Sequence, residues 1–128
     1  MAKILISTIT DELVEAGRRF GSEWARLRSK IRSKKGEGRE KWFDNMIIKL
    51  DSPTADGFHK ILRKMVRTFY EYENEYPEAK FKWNISSKVL SLLSDKSKTS
   101  WRHAFMTGVF FGYYGYFEKS DERGIKDE

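Results

Sequence analysis

Basic side chains are the residues of this sequence whose type and spacing point to a chemistry, which is contact with phosphate. The stretch GFHKILRKMVRTFYEY places four cations within eight residues, on the side of a predicted helix opposite its apolar stripe. Such a row is about 10 Å long, close to the stride of phosphates along a nucleic-acid strand. We predict that the row binds a nucleic-acid backbone. Its members are Lys60, Arg63, Lys64 and Arg67.

A second basic region lies along the first predicted helix and the loop RSKIRSKKGEGREK that follows it. The glycines of this loop would let it follow a phosphate backbone. The plainer interpretation is a solvated helix face of mixed charge. On the third predicted helix, by contrast, the bases precede the acids that begin at Glu71, and this segregation favours a docking surface. The phosphate-binding residues predicted here are Arg18, Arg26, Arg28, Lys30, Arg32, Lys34, Lys35, Arg39 and Lys41.

Aromatic and basic residues alternate in the short segment KFKW. Lys80 and Lys82 would contact phosphates, while Trp83 beside Phe81 would give an unpaired base a surface to stack on. The alternation is strand-like over four residues only. The competing interpretation is that both aromatic rings close the core.

Residue patterns typical of enzymes are weak. His59 and His103 lie on predicted helices without a second metal ligand at a known spacing. Glu71 and Glu75 lack the Glu-x-x-His partners of di-iron bundles, and the motif from Glu78 to Lys80 normally needs a mixed sheet to form a nuclease site. We therefore expect no catalytic residue, no metal site and no cofactor.

The elements that must position these cations are helices. Thr8 and Asp11 have the spacing of a capping box ahead of the first helix. Ser52 and Pro53 are typical of a helix start, and Pro77 of a stop. The periodicity predicts helices over about 10–34, 39–50, 53–76, 85–95 and 99–117. The predicted fold is all-α, a single-domain bundle of four to five helices over residues 1–117, followed by an acidic tail, 118–128.

The stretch SWRHAFMTGVFFGYYGYF is the most apolar segment of the chain. Its uncharged run from Ala104 to Phe117 is shorter than the roughly twenty residues of a membrane span. As a helix it aligns Ala104, Gly108, Gly112 and Gly115, and the first helix carries a matching row, Gly17, Gly21 and Ala25. We predict that at least one row packs backbone to backbone inside the bundle, because each helical glycine otherwise costs about 1 kcal/mol.

Composition narrows the possible partners. Hydrophobic residues make up 39% and charged residues 34%, as in a folded soluble domain, and there is no cysteine, which fits a cytoplasmic protein. The formal charge is +6; the tail alone carries −2, so residues 1–117 carry +8. That excess predicts a polyanionic partner. A membrane surface fits less well, because the apolar stripes are used within the bundle.

Two stretches, PTADGFHKILRKMVRTFYEY and KVLSLLSDKSKTSWRHAFMTGVFFGYYGYF, together cover about half of the chain. This pairing of a basic amphipathic helix with an aromatic-glycine helix resembles the small subunit of CRISPR interference (Cascade) complexes, most closely the type I-D form that corresponds to the C-terminal helical region of the large subunit. The resemblance implies several copies stacked along a guide RNA–target DNA duplex, beside larger subunits, stabilising the displaced DNA strand. The resemblance does not identify any individual binding residue in this sequence.

Two functions from different classes therefore follow from the sequence. The first is a non-catalytic, backbone-binding subunit of a ribonucleoprotein, in which the acidic tail would meet a basic face of the next copy. Deleting residues 118–128 would then weaken self-stacking. The second is a protein–protein interaction module, such as a viral or regulatory inhibitor, that binds an acidic partner surface.

Overall fold

The computed structural model describes the backbone of residues 2–35, 40–95 and 97–127, and the side chains of residues 8–31, 40–95 and 97–118. Within those ranges the chain forms five α-helices, one 3-10 turn and no strand, which confirms the predicted all-α bundle. The helices are α1 (Ala2–Lys35), α2 (Glu40–Leu50), α3 (Ala55–Glu75), α4 (Ser87–Leu93) and α5 (Thr99–Asp127), with the 3-10 turn at Pro77–Ala79.

The first and last helices are longer than predicted. α1 runs without a break from Ala2, so Thr8 and Asp11 lie inside the helix and the predicted capping box does not start it. No glycine or proline precedes Thr8 to stop the helix from extending towards the N-terminus. α5 likewise continues through the boundary predicted after Phe117 and ends at Asp127.

Hydroxyl side chains cap the N-termini of α3 and α4. The Thr54 Oγ1 accepts a hydrogen bond from the Gly57 amide at 3.0 Å and caps α3. This start lies later than the predicted one, because the Ser52 hydroxyl instead accepts a bond from the Thr54 amide at 3.3 Å. The Ser86 hydroxyl caps α4 by accepting a bond from the Val89 amide at 3.2 Å.

Aromatic rings fill the centre of the bundle. The Trp24 ring lies 4.6 Å from Phe43 and 5.4 Å from Phe69 between centroids, and its indole N–H donates to the Phe43 carbonyl at 3.1 Å. Phe20 meets Phe69 edge-on at 5.6 Å. Because these large side chains come from α1, α2 and α3, their burial holds the three helices together.

Two glycine pairs bring the backbones of α1 and α5 together. A Cβ on Gly17 or Gly21 would fall inside van der Waals contact with the carbonyls of Phe105 or Val109, and a Cβ on Gly108 or Gly112 would meet the α1 backbone in the same way. The contacts advance in the same direction along both helices, so α1 and α5 are parallel. The predicted backbone-to-backbone packing is confirmed for both rows.

Gly115, by contrast, faces open space, and no heavy atom lies within 4 Å of the Cβ that it would carry. It therefore takes no part in the α1–α5 contact, although it continues the sequence pattern of Gly108 and Gly112. The sequence alignment of the three glycines therefore predicted the contact correctly for Gly108 and Gly112 and wrongly for Gly115.

Alanine substitutions at these glycines should change stability in opposite directions. Gly112→Ala forces a methyl group against the α1 backbone and should lower the free energy of unfolding by about 1–3 kcal/mol. Gly115→Ala adds a better helix former in open space and should raise it by about 0.5–1 kcal/mol. Urea denaturation followed by circular dichroism measures both. Equal stabilisation by the two variants would show that α1 and α5 are not in backbone contact.

Candidate nucleic-acid interface

A groove between α2 and α3 brings several exposed cations together. It consists of two adjoining cavities of about 470 and 390 Å³, which share Lys49, Ile61 and Lys64 in their linings. Lys60 lines the first cavity and Arg67 the second. We call this surface the α2–α3 groove, and its four cations are Lys49, Lys60, Lys64 and Arg67.

The four cations of the α2–α3 groove are exposed, and none of them forms a salt bridge with a described residue. Two carboxylates also line the groove, Asp51 in the first cavity and Glu71 in the second. Four positive groups against two negative ones leave a net positive surface. Long side chains that are hydrated and unpaired can contact an anion without first breaking an internal ion pair.

The predicted row on α3 is exposed along its whole length, but its members line two different surfaces. Lys60, Lys64 and Arg67 border the α2–α3 groove. Arg63 borders a separate cavity of about 610 Å³ between α3 and α4, where Leu62 and Leu90 are among the lining residues. Three of the four predicted residues are therefore brought together with Lys49, which sequence reasoning missed.

Most of the described arginines of α1 form ion pairs with carboxylates of the same chain. Arg18 forms an ion pair with Glu15 at 2.5 Å, and its hydrogen bond holds the pKa of that carboxyl below the usual value. Arg26 pairs with Glu23 at 2.8 Å and donates to the Ala79 carbonyl at 2.9 Å. It also lies 4.6 Å above the ring of Phe81. The Arg26 guanidinium group thus anchors the segment after α3, and its contact with phosphate stays a prediction.

Arg28 joins three helices rather than facing solvent. Its guanidinium group lies 3.2 Å from a Glu40 oxygen and 3.3 Å from an Asp44 oxygen on α2, and 4.6 Å from the ring centroid of Phe117 on α5. Asp44 also accepts a hydrogen bond from the Tyr113 hydroxyl. Burial, and then this bond, raise the pKa of Tyr113 above its usual range. These contacts give Arg28 a structural role, and its phosphate-binding role stays a prediction.

Trp83 cannot serve as the predicted stacking surface. It is only 6% exposed, and its ring already stacks on Phe69 at 5.5 Å with an interplanar angle of 10°. Phe81 is buried as well, so the strand-like alternation closes the core instead of forming a strand. Lys80, which has a left-handed backbone (φ 49°), and Lys82 are exposed but do not line the α2–α3 groove.

The remaining predicted cations lie at the junction of α1 and α2. Lys30 and Lys41 are exposed, and neither lines the α2–α3 groove. The side chains of Arg32, Lys34, Lys35 and Arg39 lie outside the described residues.

The α2–α3 groove contains a tryptophan, Trp42, that is not buried in the core. Trp42 lines the smaller cavity together with Met46, Lys49, Lys64 and Arg67, and 41% of its surface is exposed. Trp42, Met46 and Lys49 follow at spacings of four and three along α2 and so share one helix face. This spacing is visible in the sequence, and it predicts that the lysine lies on the same face of α2 as the tryptophan.

Other chemistries have little support among the described residues. No group of three histidine, aspartate or glutamate side chains there could hold a metal ion. The His59 Nε2 lies 2.9 Å from the Leu93 carbonyl, a contact that ties α3 to α4. None of the described helices combines the length and the apolar character that crossing a bilayer requires.

Comparison with known proteins returns no relative. No family model matches the chain, no curated protein matches it, and no solved structure matches it. The interpretation of the α2–α3 groove therefore rests on its geometry and charge.

Arginine substitutions should separate structural cations from surface cations. Arg28→Gln removes the guanidinium contacts to Glu40 and Asp44 and should lower the free energy of unfolding by about 2 kcal/mol. Arg63→Gln, at an exposed position, should change it by less than about 0.5 kcal/mol. Urea denaturation compares them. If both variants were as stable as the unchanged protein, Arg28 would not be a structural residue.

Proposed function

We propose that the chain is a non-catalytic protein that binds the phosphate backbone of nucleic acid through the α2–α3 groove. The observation that supports this most directly is the convergence of four exposed cations that form no salt bridge with a described residue, while Arg18, Arg26 and Arg28 of α1 are paired with carboxylates. Phosphodiesters are the polyanion that such a row fits, since each cation displaces a condensed counterion when it meets a phosphate.

Binding of this kind depends on backbone charge rather than on base sequence. No asparagine or glutamine, the side chains that pair with adenine edges, is among the described residues that line the groove. Its affinity should accordingly be similar across sequences and should fall steeply with salt concentration.

The biological setting we propose is the one that the sequence resemblance implies. In it the chain is a cytoplasmic small subunit of a Cascade-type ribonucleoprotein, beside guide RNA, target DNA, larger subunits and further copies of itself. The helical fold and the basic groove are compatible with that role. Purification of the complex from its native host should then yield a guide RNA and other subunits together with the chain.

Removing two groove cations should weaken binding without altering the fold. Lys64→Gln combined with Arg67→Gln keeps the apolar stems of the side chains and removes two charges. The affinity for any oligonucleotide should fall, and the slope of log affinity against log salt should become shallower by about 1.4–1.8. Fluorescence anisotropy at several salt concentrations measures both quantities.

The matched control removes the same net charge at cations that are already paired. Arg18→Gln combined with Lys88→Gln acts on residues bound to Glu15 and Glu12. Its salt slope should stay close to that of the unchanged protein. Equal losses in the two double variants would show that net charge, and not the α2–α3 groove, governs binding.

A protein–protein interaction module is the second candidate, and one feature favours it. Phe111 and Tyr114 on α5 are 68% and 50% exposed, and large apolar side chains held in solvent are typical of protein contact surfaces. This function predicts tight binding to one acidic protein and negligible affinity for free nucleic acid at moderate salt. Both functions can coexist if α5 contacts a neighbouring subunit while the groove holds the backbone.

A further inference from the structure

Trp42 is a large aromatic residue that is 41% exposed and lines the cationic α2–α3 groove. Its nearest aromatic neighbours are Phe43, edge-on at 5.1 Å, and Trp24, tilted by 43° at 5.9 Å. Among the described rings none lies parallel to it, whereas Trp83 is stacked on Phe69 within the core. The Trp42 indole therefore keeps surface available for stacking.

The cavity around Trp42 has the size and the charge for one nucleotide. Its volume of about 390 Å³ falls in the range of small-molecule sites. The indole shares this cavity with Lys49, Lys64 and Arg67, so an aromatic surface and three cations line one space. The second cavity of the groove continues along α3 past Lys60, where the next part of a strand would lie.

An exposed indole beside cations should bind single-stranded nucleic acid in preference to a duplex. Bases of a duplex are stacked on each other and cannot reach an aromatic side chain, while an unpaired base can stack on it at any sequence. Resting on the proposed function, we infer that the α2–α3 groove binds single-stranded nucleic acid, with an unpaired base stacked on Trp42 and its flanking phosphates on Lys49, Lys64 and Arg67.

The test compares three ligands of equal charge against the full chain. They are a labelled oligothymidine, an abasic oligomer with the same number of phosphates, and a duplex trimmed to that number. Trp42→Ala should reduce the affinity for oligothymidine by about tenfold or more and change the affinity for the abasic oligomer less than twofold. Trp42→Phe should restore most of the loss because it retains a stacking ring.

The control variant is Tyr70→Ala, which removes an exposed aromatic ring outside the α2–α3 groove. It should leave all three affinities unchanged, and circular dichroism melting would verify that each variant folds. An equal loss on the base-bearing and abasic ligands, or no loss in Trp42→Ala, would overturn base stacking. Backbone binding would still stand if Lys64→Gln with Arg67→Gln weakened all three ligands. If the unchanged protein bound none of them, the proposed function itself would fail.

Discussion

Backbone contact between two parallel helices is the constraint on which the rest of this structure depends. Gly17 and Gly21 on α1 face Phe105 and Val109 on α5, and Gly108 and Gly112 complete the contact from the other side. Because α1 and α5 run in the same direction, the chain between them must return along the bundle. α2 makes one return and the segment after α3 makes another, whereas α3 runs in the direction of α1. The α2–α3 groove is the surface between these two antiparallel helices.

Local sequence spacing determines which cations form ion pairs within the protein and which stay unpaired on its surface. On α1, Glu15 and Glu23 each precede an arginine by three residues, and both pairs close into ion pairs. On α3, Lys64 and Arg67 have no carboxylate three or four residues before them. Arginines that are paired and partly buried stabilise helix contacts, whereas unpaired lysines on an outer face remain available to a ligand.

Much of the fold could be predicted because it depends on local patterns. The apolar stripes gave the helices, and the glycine rows gave the α1–α5 contact, since a helical glycine needs compensation that only a close neighbour provides. The length of α1 was missed because a capping motif at Thr8 signals a start without enforcing one.

The candidate site was only partly predictable because burial is a tertiary property. Trp42 and Trp83 both stand next to cations in the sequence, yet Trp83 enters the core against Phe69 and Trp42 stays open beside Lys49. The pairing of Arg28 could not be predicted, because its partners Glu40 and Asp44 lie on another helix. Sequence spacing alone does not reveal such pairs.

Nuclear magnetic resonance mapping of the isotope-labelled full chain during titration with a short oligonucleotide tests the central claim most directly. The account predicts that the amide shifts change along the face of α2 that carries Lys49 and the face of α3 that carries Lys60, Lys64 and Arg67. Changes centred on the exposed face of α5, or spread evenly over the molecule, would contradict it.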